Sequence, residues 1–416
     1  MDFFVIDGGR PLRGAVRISG SKNAALPILI STLLTDDACT IHNVPELRDI
    51  RTTVRLLELM GKKVTYARGT AQVSPRSRLK TSAPYDLVKQ MRASVLVAGP
   101  LLARFHKARV SLPGGCTIGA RPIDIHLEAF KKLGVKVSTD HGDVVFECDR
   151  LKPGQVRFRF PSVGATENLM MAAAGIKGTT VLRNSAREPE IEDLGIFLTR
   201  MGARVTGAGT STVTVEGAAR LHGAEHSVIA DRVETGTFLL AALATKGDVR
   251  LVGAKAQHLE ALLEAVKKTG ATVIELPEGL RVKTKDRPKP VDIRTEPHPG
   301  FPTDLQAPWM SYMAFARGTS KVREAVFENR FMHAAELARM GARVRTAGER
   351  ATIEGVPELH GAPIMASDIR AGAALVVAAL AAKGQTVIQR VYHIDRGYEK
   401  LEKKLRALGA QIRRAH

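Results

Sequence analysis

The chain has 416 residues, enough for two or three domains, and its 44% hydrophobic and 25% charged residues are the proportions of an ordinary globular protein. No uninterrupted apolar run is long enough to span a bilayer, so membrane insertion is not expected. The opening Met1-Asp2-Phe3-Phe4-Val5-Ile6-Asp7 lacks the basic-then-apolar order of a signal peptide. Three cysteines give no disulfide framework and none lies in a Cys-x-x-Cys pair, so a reducing, cytoplasmic setting is expected. The net charge of +20 raises the question of nucleic acid. The lysines and arginines are spread along the whole length, however, and the densest run, 281–289, leads into Pro288 and Pro290 as a solvated loop would. Aromatic residues are only 5% of the chain and no zinc finger or other nucleic-acid signature is present, so small anionic substrates are expected rather than nucleic acid. No metal and no cofactor is expected, and the chain is read as a monomer or weak homo-oligomer.

Taken in order, the chain repeats one unit six times. A helical stretch ends in Gly and a β-like residue follows, at Gly61, Gly134, Gly202, Gly270, Gly341 and Gly409, with successive separations of 73, 68, 68, 71 and 68 residues. Glycine just past a helix is a left-handed cap, and the branched residue beyond it begins a strand. Each unit also carries one helix apolar on every side, beginning near Ala24, Val95, Leu169, Phe238, Trp309 and Ala371. Such helices are buried. Within them Pro27 is expected to mark a first turn and Pro100 a kink. The unit reads as apolar helix, strand, loop, second helix and hairpin. Six units imply an α/β protein of two domains, each with three helices inside and sheets outside.

The residues at the starts of the buried helices are Ser21-Lys22-Asn23, Arg92-Ala93-Ser94, Thr166-Glu167-Asn168, Glu234-Thr235, Thr303-Asp304 and Ser367-Asp368-Ile369-Arg370. Capping accounts for the Ser, Thr, Asp and Asn. It does not account for Lys22, Arg92 or Arg370. A helix start carries partial positive charge and free N–H groups, so such ends with added cations suit a strongly anionic ligand. The loops after the strands carry further candidates: Val326 to His333 with Arg330, Val391 to Tyr398 with Arg396, and Asn184 to Glu190. A single arginine of this kind is commonly a surface ion pair, but two in equivalent loops weigh evenly between that and a ligand.

The loop of the second unit is the most unusual. Ser111-Leu112-Pro113-Gly114-Gly115-Cys116-Thr117-Ile118-Gly119-Ala120-Arg121-Pro122 sets a cysteine among three glycines and two prolines, with an arginine five residues on. Neither strand nor helix runs through such a segment. Cysteine is commonly a buried, inert side chain. Here the loop and the guanidinium favour a reactive or proton-transferring thiol.

These motifs, in these positions, resemble the UDP-N-acetylglucosamine enolpyruvyl transferase family from end to end. The stretches that carry the likeness are Gly20-Ser21-Lys22-Asn23-Ala24-Ala25-Leu26-Pro27, Met91-Arg92-Ala93-Ser94, the Cys116 loop through Asp124, and Ser162-Val163-Gly164-Ala165-Thr166. Asp231 to Thr237, Phe301-Pro302-Thr303-Asp304, Phe327 to Phe331 and Tyr392 to Gly397 complete it. The resemblance implies two inside-out α/β barrel domains of three units each, 22–230 and 1–21 plus 231–416. It implies transfer of the enolpyruvyl group of phosphoenolpyruvate to the 3-hydroxyl of UDP-N-acetylglucosamine with release of phosphate, the first committed step of peptidoglycan synthesis.

By the same resemblance Cys116 is the general acid, and Lys22 and Arg121 hold the phosphate with Asn23 and Arg92 nearby. Arg370 and Arg396 hold the carboxylate, and Asp304 meets the sugar hydroxyl as the candidate base. Asn23, Arg92, the segment Arg121, Pro122, Ile123, Asp124 and Ile125, then Ser162, Val163 and Gly164, with Asp304 and Val326, bind the sugar nucleotide. At Phe160-Pro161 the sequence departs from the Lys-Val of some relatives, which bears on the nucleotide contacts and not on the reaction. The rival readings are a shikimate-3-phosphate enolpyruvyl transferase, which the Gly115-Cys116 and Arg121 segments fit less well, and a catalytically silent sugar-nucleotide-binding homologue. Cys116→Ser is expected to lose turnover far more than substrate binding. Cys116→Asp should keep some turnover and escape inactivation by the epoxide fosfomycin; mass spectra showing the Asp variant still labelled would remove Cys116 as the target.

Overall fold

The computed structural model describes residues 2–83, 92–111 and 123–416, with the side chain of Arg92 also outside the description. Two compact units form. One holds Met1–Ser19 with Ala230–His416, and the other holds the described residues between Gly20 and Ile229. Among the described residues there are six four-stranded sheets, three in each unit.

In each unit three helical stretches lie at the centre. In the first they are Lys22–Ser31, the 3-10 turn Arg92–Val97 running into Ala98–Phe105, and Val163–Ala174; in the second they are Arg232–Ala244, Gln306–Met313 and Ile369–Ala381. From Ala371 to Leu380 every residue is buried, as is every residue from Val233 to Ala244. Alanine and glycine let these helices pack against one another while leucine, valine and methionine fill the space to the sheets. The expected arrangement, helices inside and sheets outside, is found in both units.

Caps explain where the helices begin. Ser21 accepts from the Ala24 N–H, Ser162 from Ala165, Asp231 from Val233 and Glu234, and Asp368 from Arg370 and Ala371. The helix expected near Leu169 therefore starts at Val163, and Thr166, Glu167 and Asn168 lie inside it. Pro27 is likewise inside its helix, in the second turn rather than the first, because Ser21 caps so early. Pro100 stands third in Ala98–Phe105, just past the junction with the 3-10 turn Arg92–Val97.

The six repeat glycines have positive φ, from 86° at Gly134 to 112° at Gly61. A left-handed residue there turns the chain from the outer helix into the hairpin. Each sheet follows one pattern, seen in Gln155–Arg157, Gly178–Arg183, Thr212–Gly217 and Arg204–Thr206. The first two are parallel and joined by the buried helix Val163–Ala174, and the last two form the antiparallel hairpin. The sixth sheet completes this pattern with a strand from the other end of the chain: Phe3–Asp7 lies antiparallel between Gln385–Gln389 and Gln411–Ala415. Arg13–Arg17 then runs parallel to Asp248–Val252. The equivalent place in the sheet of Cys39–His42 is taken by Glu225–Ser227. Among the described residues no helix is long and apolar enough to cross a membrane.

Gly20 stands where the backbone crowds most: a Cβ there would lie 1.7 Å from the Asn43 carbonyl oxygen. Gly409, by contrast, has open space around it and only its φ of 93° to satisfy. Gly20→Ala is expected to destabilise the protein by about 3 kcal/mol, the upper part of the range for overpacking, and Gly409→Ala by about 1–2 kcal/mol. Thermal denaturation of the two variants checks the order.

Candidate active site

Lys22, the first residue of its helix, is buried, and its Nζ lies 3.5 Å from Asp49 Oδ2, itself buried. Asn23 follows it, half-buried. A lysine held at a helix start adds a full positive charge to the partial charge of the N–H groups, which suits an anion. In the same unit Ser162, Val163 and Gly164 form the start of the helix Val163–Ala174. A Cβ on Gly164 would come within 3.3 Å of the His126 ring, so glycine permits this approach. His126 is fixed in turn by Asn168, whose Nδ2 lies 3.2 Å from His126 Nδ1 and donates to the Val95 carbonyl at 3.0 Å.

Ile123 is buried and precedes the helix Asp124–Lys132, with Ile125 half-buried in its first turn. Asp124 accepts the Ile125 N–H at 2.9 Å and forms an ion pair with Arg159, which also reaches Glu128. An open pocket of about 420 Å³ lies here, lined by Ile125, Glu128, Arg157 and Arg159 among others. A larger pocket, about 630 Å³ between Gly253 and Leu280, contains none of the predicted residues.

In the other unit Arg330 and the predicted Arg370 converge on the carboxylate of the predicted Asp304. Asp304 lies in the single turn Thr303–Leu305 that opens the helix Gln306–Met313. Its Oδ1 accepts from Arg330 Nη2 at 2.6 Å and its Oδ2 from Arg370 Nη2 at 3.0 Å. Both arginines are buried while Asp304 is 27% exposed, so the carboxylate is the part of the cluster that faces outward. Arg330 also donates to Thr303 Oγ1 at 3.0 Å and stacks over the Phe327 ring. Charge-assisted bonds of this kind are short and directional, and two of them fix the plane of the carboxylate.

Arg370 sits 5.5 Å over the Tyr398 ring, and Tyr398 Oη is 2.9 Å from Thr237 Oγ1. Burial alone would lower the Arg370 pKa, but Asp304, with Tyr398 and Asp231, holds it above the ordinary arginine value. Its Nη1 is buried and has no hydrogen-bond acceptor among the described residues. Arg396 ends the 3-10 segment Val391–Arg396 and is half-buried. Glu234, within the first turn of its helix, accepts from the Ser19 N–H at 2.7 Å and from Lys404 Nζ at 2.6 Å. Burial pushes its pKa up to about 7 against the pull of Lys404.

Cys116, Arg121, Pro122 and the side chain of Arg92 lie outside the described residues. Three residues of the Asp304 cluster escape sequence reasoning: Thr303 as a bridge, Tyr398 as a platform, and Glu324, whose Oε2 accepts from Thr303 Oγ1 at 2.9 Å. Tyr398 lies in a loop already singled out, so a polar ring beside Arg396 was a signal of sorts. Glu324, which precedes the Val326 loop, gives none.

Comparison with known proteins follows the same lines. A family model described as EPSP synthase (3-phosphoshikimate 1-carboxyvinyltransferase) matches residues 6–405. The chain is 54% identical to the UDP-N-acetylglucosamine 1-carboxyvinyltransferase of Elusimicrobium minutum over 415 residues, 99% of this chain and 98% of that one. It is 52% identical to the protein of the same name from Endomicrobium trichonymphae over 417 residues, 100% of each. Among solved structures, the enolpyruvyl transferase NikO from Streptomyces tendae matches with a TM-score of 0.90 at 26% identity, over 100% of this chain and 99% of that one. An EPSP synthase from Acinetobacter baumannii matches with a TM-score of 0.77 at 16% identity over 100% of each, a likeness of fold alone.

His333, at the start of the helix His333–Arg339, is buried beside Arg330, and burial lowers its pKa from 6.5 to about 4. Between these values the unfolded chain binds a proton that the folded one refuses, so stability falls as pH drops from 6.5 towards 4. The loss should be on the order of 3 kcal/mol by pH 4. Chemical denaturation across this range should show a shallower acid limb for His333→Phe than for the wild type.

Proposed function

The chain belongs to the UDP-N-acetylglucosamine 1-carboxyvinyltransferase family, and on that premise we propose how its residues carry the reaction. The enzyme transfers the enolpyruvyl group of phosphoenolpyruvate to the 3-hydroxyl of UDP-N-acetylglucosamine, with release of phosphate, in peptidoglycan synthesis. Full-length identity above one half to proteins of that name carries this reading. The shikimate-3-phosphate alternative rests on the description of the broader family model and on structures only 16–17% identical.

Chemically, the sugar oxygen bonds to C2 of phosphoenolpyruvate as a proton adds to the C3 methylene and the hydroxyl proton leaves. The product of this addition is a tetrahedral ketal still bearing phosphate. Cleavage of the C2–O bond then expels phosphate, while loss of a proton from C3 restores the double bond. The protein must neutralise a phosphate and a carboxylate, deliver one proton and orient one hydroxyl.

We assign the proton delivery to Cys116 and the phosphate to Lys22 and Arg121, with Asn23 and Arg92 beside them. A cationic neighbourhood favours the thiolate, so the anionic substrate is needed to keep the proton on Cys116. The substrate carboxylate falls to Arg370 and Arg396. What supports this for Arg370 is its buried Nη1: a donor left without an acceptor among the described residues is satisfied by a ligand oxygen. Asp304, pinned at both oxygens by guanidinium groups, is suited to orienting the sugar hydroxyl through its remaining lone pairs. Ile123, Asp124, Ile125, Pro122, Ser162, Val163, Gly164 and Val326 are assigned to the sugar nucleotide. On this reading the epoxide fosfomycin would alkylate Cys116, the enzyme would act in the cytoplasm, and loss of its activity would disturb cell shape and division.

Phosphate release should require phosphoenolpyruvate and UDP-N-acetylglucosamine together. Asp304→Asn should lower kcat by roughly 100-fold. Release with shikimate 3-phosphate in place of the sugar nucleotide would overturn the assignment.

A further inference from the structure

Glu324 follows the strand Thr319–Arg323 and is only 2% exposed. Its Oε1 accepts from Thr295 Oγ1 at 2.8 Å, from the Val326 N–H at 3.0 Å and from the Phe327 N–H at 3.1 Å. Its Oε2 accepts from Thr303 Oγ1 at 2.9 Å. The Thr295 hydroxyl in turn accepts the Ala325 N–H at 2.9 Å. Three successive amides of the Val326 loop are thus tied to one carboxylate and its threonine. On the other side, Thr303 Oγ1 accepts from Arg330 Nη1 at 3.0 Å, and Arg330 Nη2 holds Asp304.

All four partners of Glu324 are donors, which is the pattern a carboxylate satisfies and an amide does not. Burying such a group costs more than burying an apolar side chain of the same size, so stability alone is a poor reason for it. We propose that Glu324 is a positioning residue for the transfer reaction. It sets the Val326 loop and the Thr303–Arg330–Asp304 chain from one anchor, and so acts on the sugar-nucleotide side of the site. The inference rests on the function proposed above. It assigns Glu324 no contact with either substrate.

The chemistry predicts what isosteric change does. In Glu324→Gln the amide NH₂ must face either the loop N–H groups or the Thr303 hydroxyl. In the first case the loop loses its acceptor. In the second, Thr303 Oγ1 must accept from both the introduced amide and Arg330, and its own proton is left without a partner. Thr303→Val removes both the donor to Glu324 Oε2 and the acceptor for Arg330 Nη1 while leaving the loop amides on Oε1, whereas Thr303→Ser keeps both bonds.

The test is steady-state phosphate release for wild type, Glu324→Gln, Thr303→Val and Thr303→Ser, with KM measured for each substrate separately. Amide hydrogen exchange of the substrate-free proteins accompanies it. Glu324→Gln should lower kcat/KM for UDP-N-acetylglucosamine by roughly tenfold or more while KM for phosphoenolpyruvate stays within about twofold. Thr303→Val should lose kcat in the same direction and Thr303→Ser should restore it. Exchange at 325–327 should quicken in Glu324→Gln and not in Thr303→Val. A fall in melting temperature with both KM values and kcat unchanged would overturn the proposal, as would equal losses for the two substrates or unaltered exchange at 325–327. Wild-type protein inert with UDP-N-acetylglucosamine would instead overturn the proposed function, and the exchange data would still decide whether Glu324 anchors the loop.

Discussion

A helix that is apolar on every side must be covered on every side, and this constraint shapes both units. Sheets surround the helices Lys22–Ser31, Val163–Ala174, Arg232–Ala244 and Ile369–Ala381, so water reaches them only at their ends. At the N-terminal end of each helix the first backbone N–H groups lack intrahelical partners and carry a partial positive charge. The residues assigned to substrate gather there for that reason: Lys22 beside Ser21, Ser162 to Gly164, Thr303 and Asp304, Arg370 after Asp368. Fold and site follow from one physical demand, with capping side chains serving the helix and their cationic neighbours serving the ligand.

Charge in the Asp304 cluster is balanced unevenly. Two buried guanidinium groups share one partly exposed carboxylate, and the next carboxylate, Glu324, reaches Arg330 only through the Thr303 hydroxyl. Burial of unpaired charge is unfavourable, and a tightly held anionic ligand relieves it. The Arg370 Nη1 donor belongs to the same imbalance. On the proposed function, a ligand oxygen at Arg370 Nη1 would complete this cluster. Lys22 with Asp49 follows a milder version, at 3.5 Å rather than in a tight bond.

Much of the fold was legible because it repeats. The glycines from Gly61 to Gly409 announce themselves by spacing, and all six have the positive φ that spacing implied. Helix starts were less legible: the helix expected near Leu169, with Thr166, Glu167 and Asn168 at its start, begins at Val163 behind the Ser162 cap. In the site, Asp304, Arg330 and Arg370 were visible as residues. Their pairing was not, since Asp304 meets partners 26 and 66 positions away and only the packed helices bring them together. Glu324 was invisible for a simpler reason: a lone glutamate after a strand is ordinarily solvated, and no local pattern tells that this one is buried.

The strand Phe3–Asp7 has a consequence for the order in which the protein can be made. Val5 pairs with Val387 on one side and Arg413 on the other, so its sheet cannot close until the chain through residue 413 has left the ribosome. Every sheet of the other unit is complete by Ser227. One unit can therefore fold during synthesis, while the first strand of its companion waits, with an exposed edge, for partners that arrive last. Closing that sheet joins residues of very large sequence separation, the slowest class of contact to form. The Asp304 cluster belongs to this unit, whose last sheet closes only after residue 413 has been made.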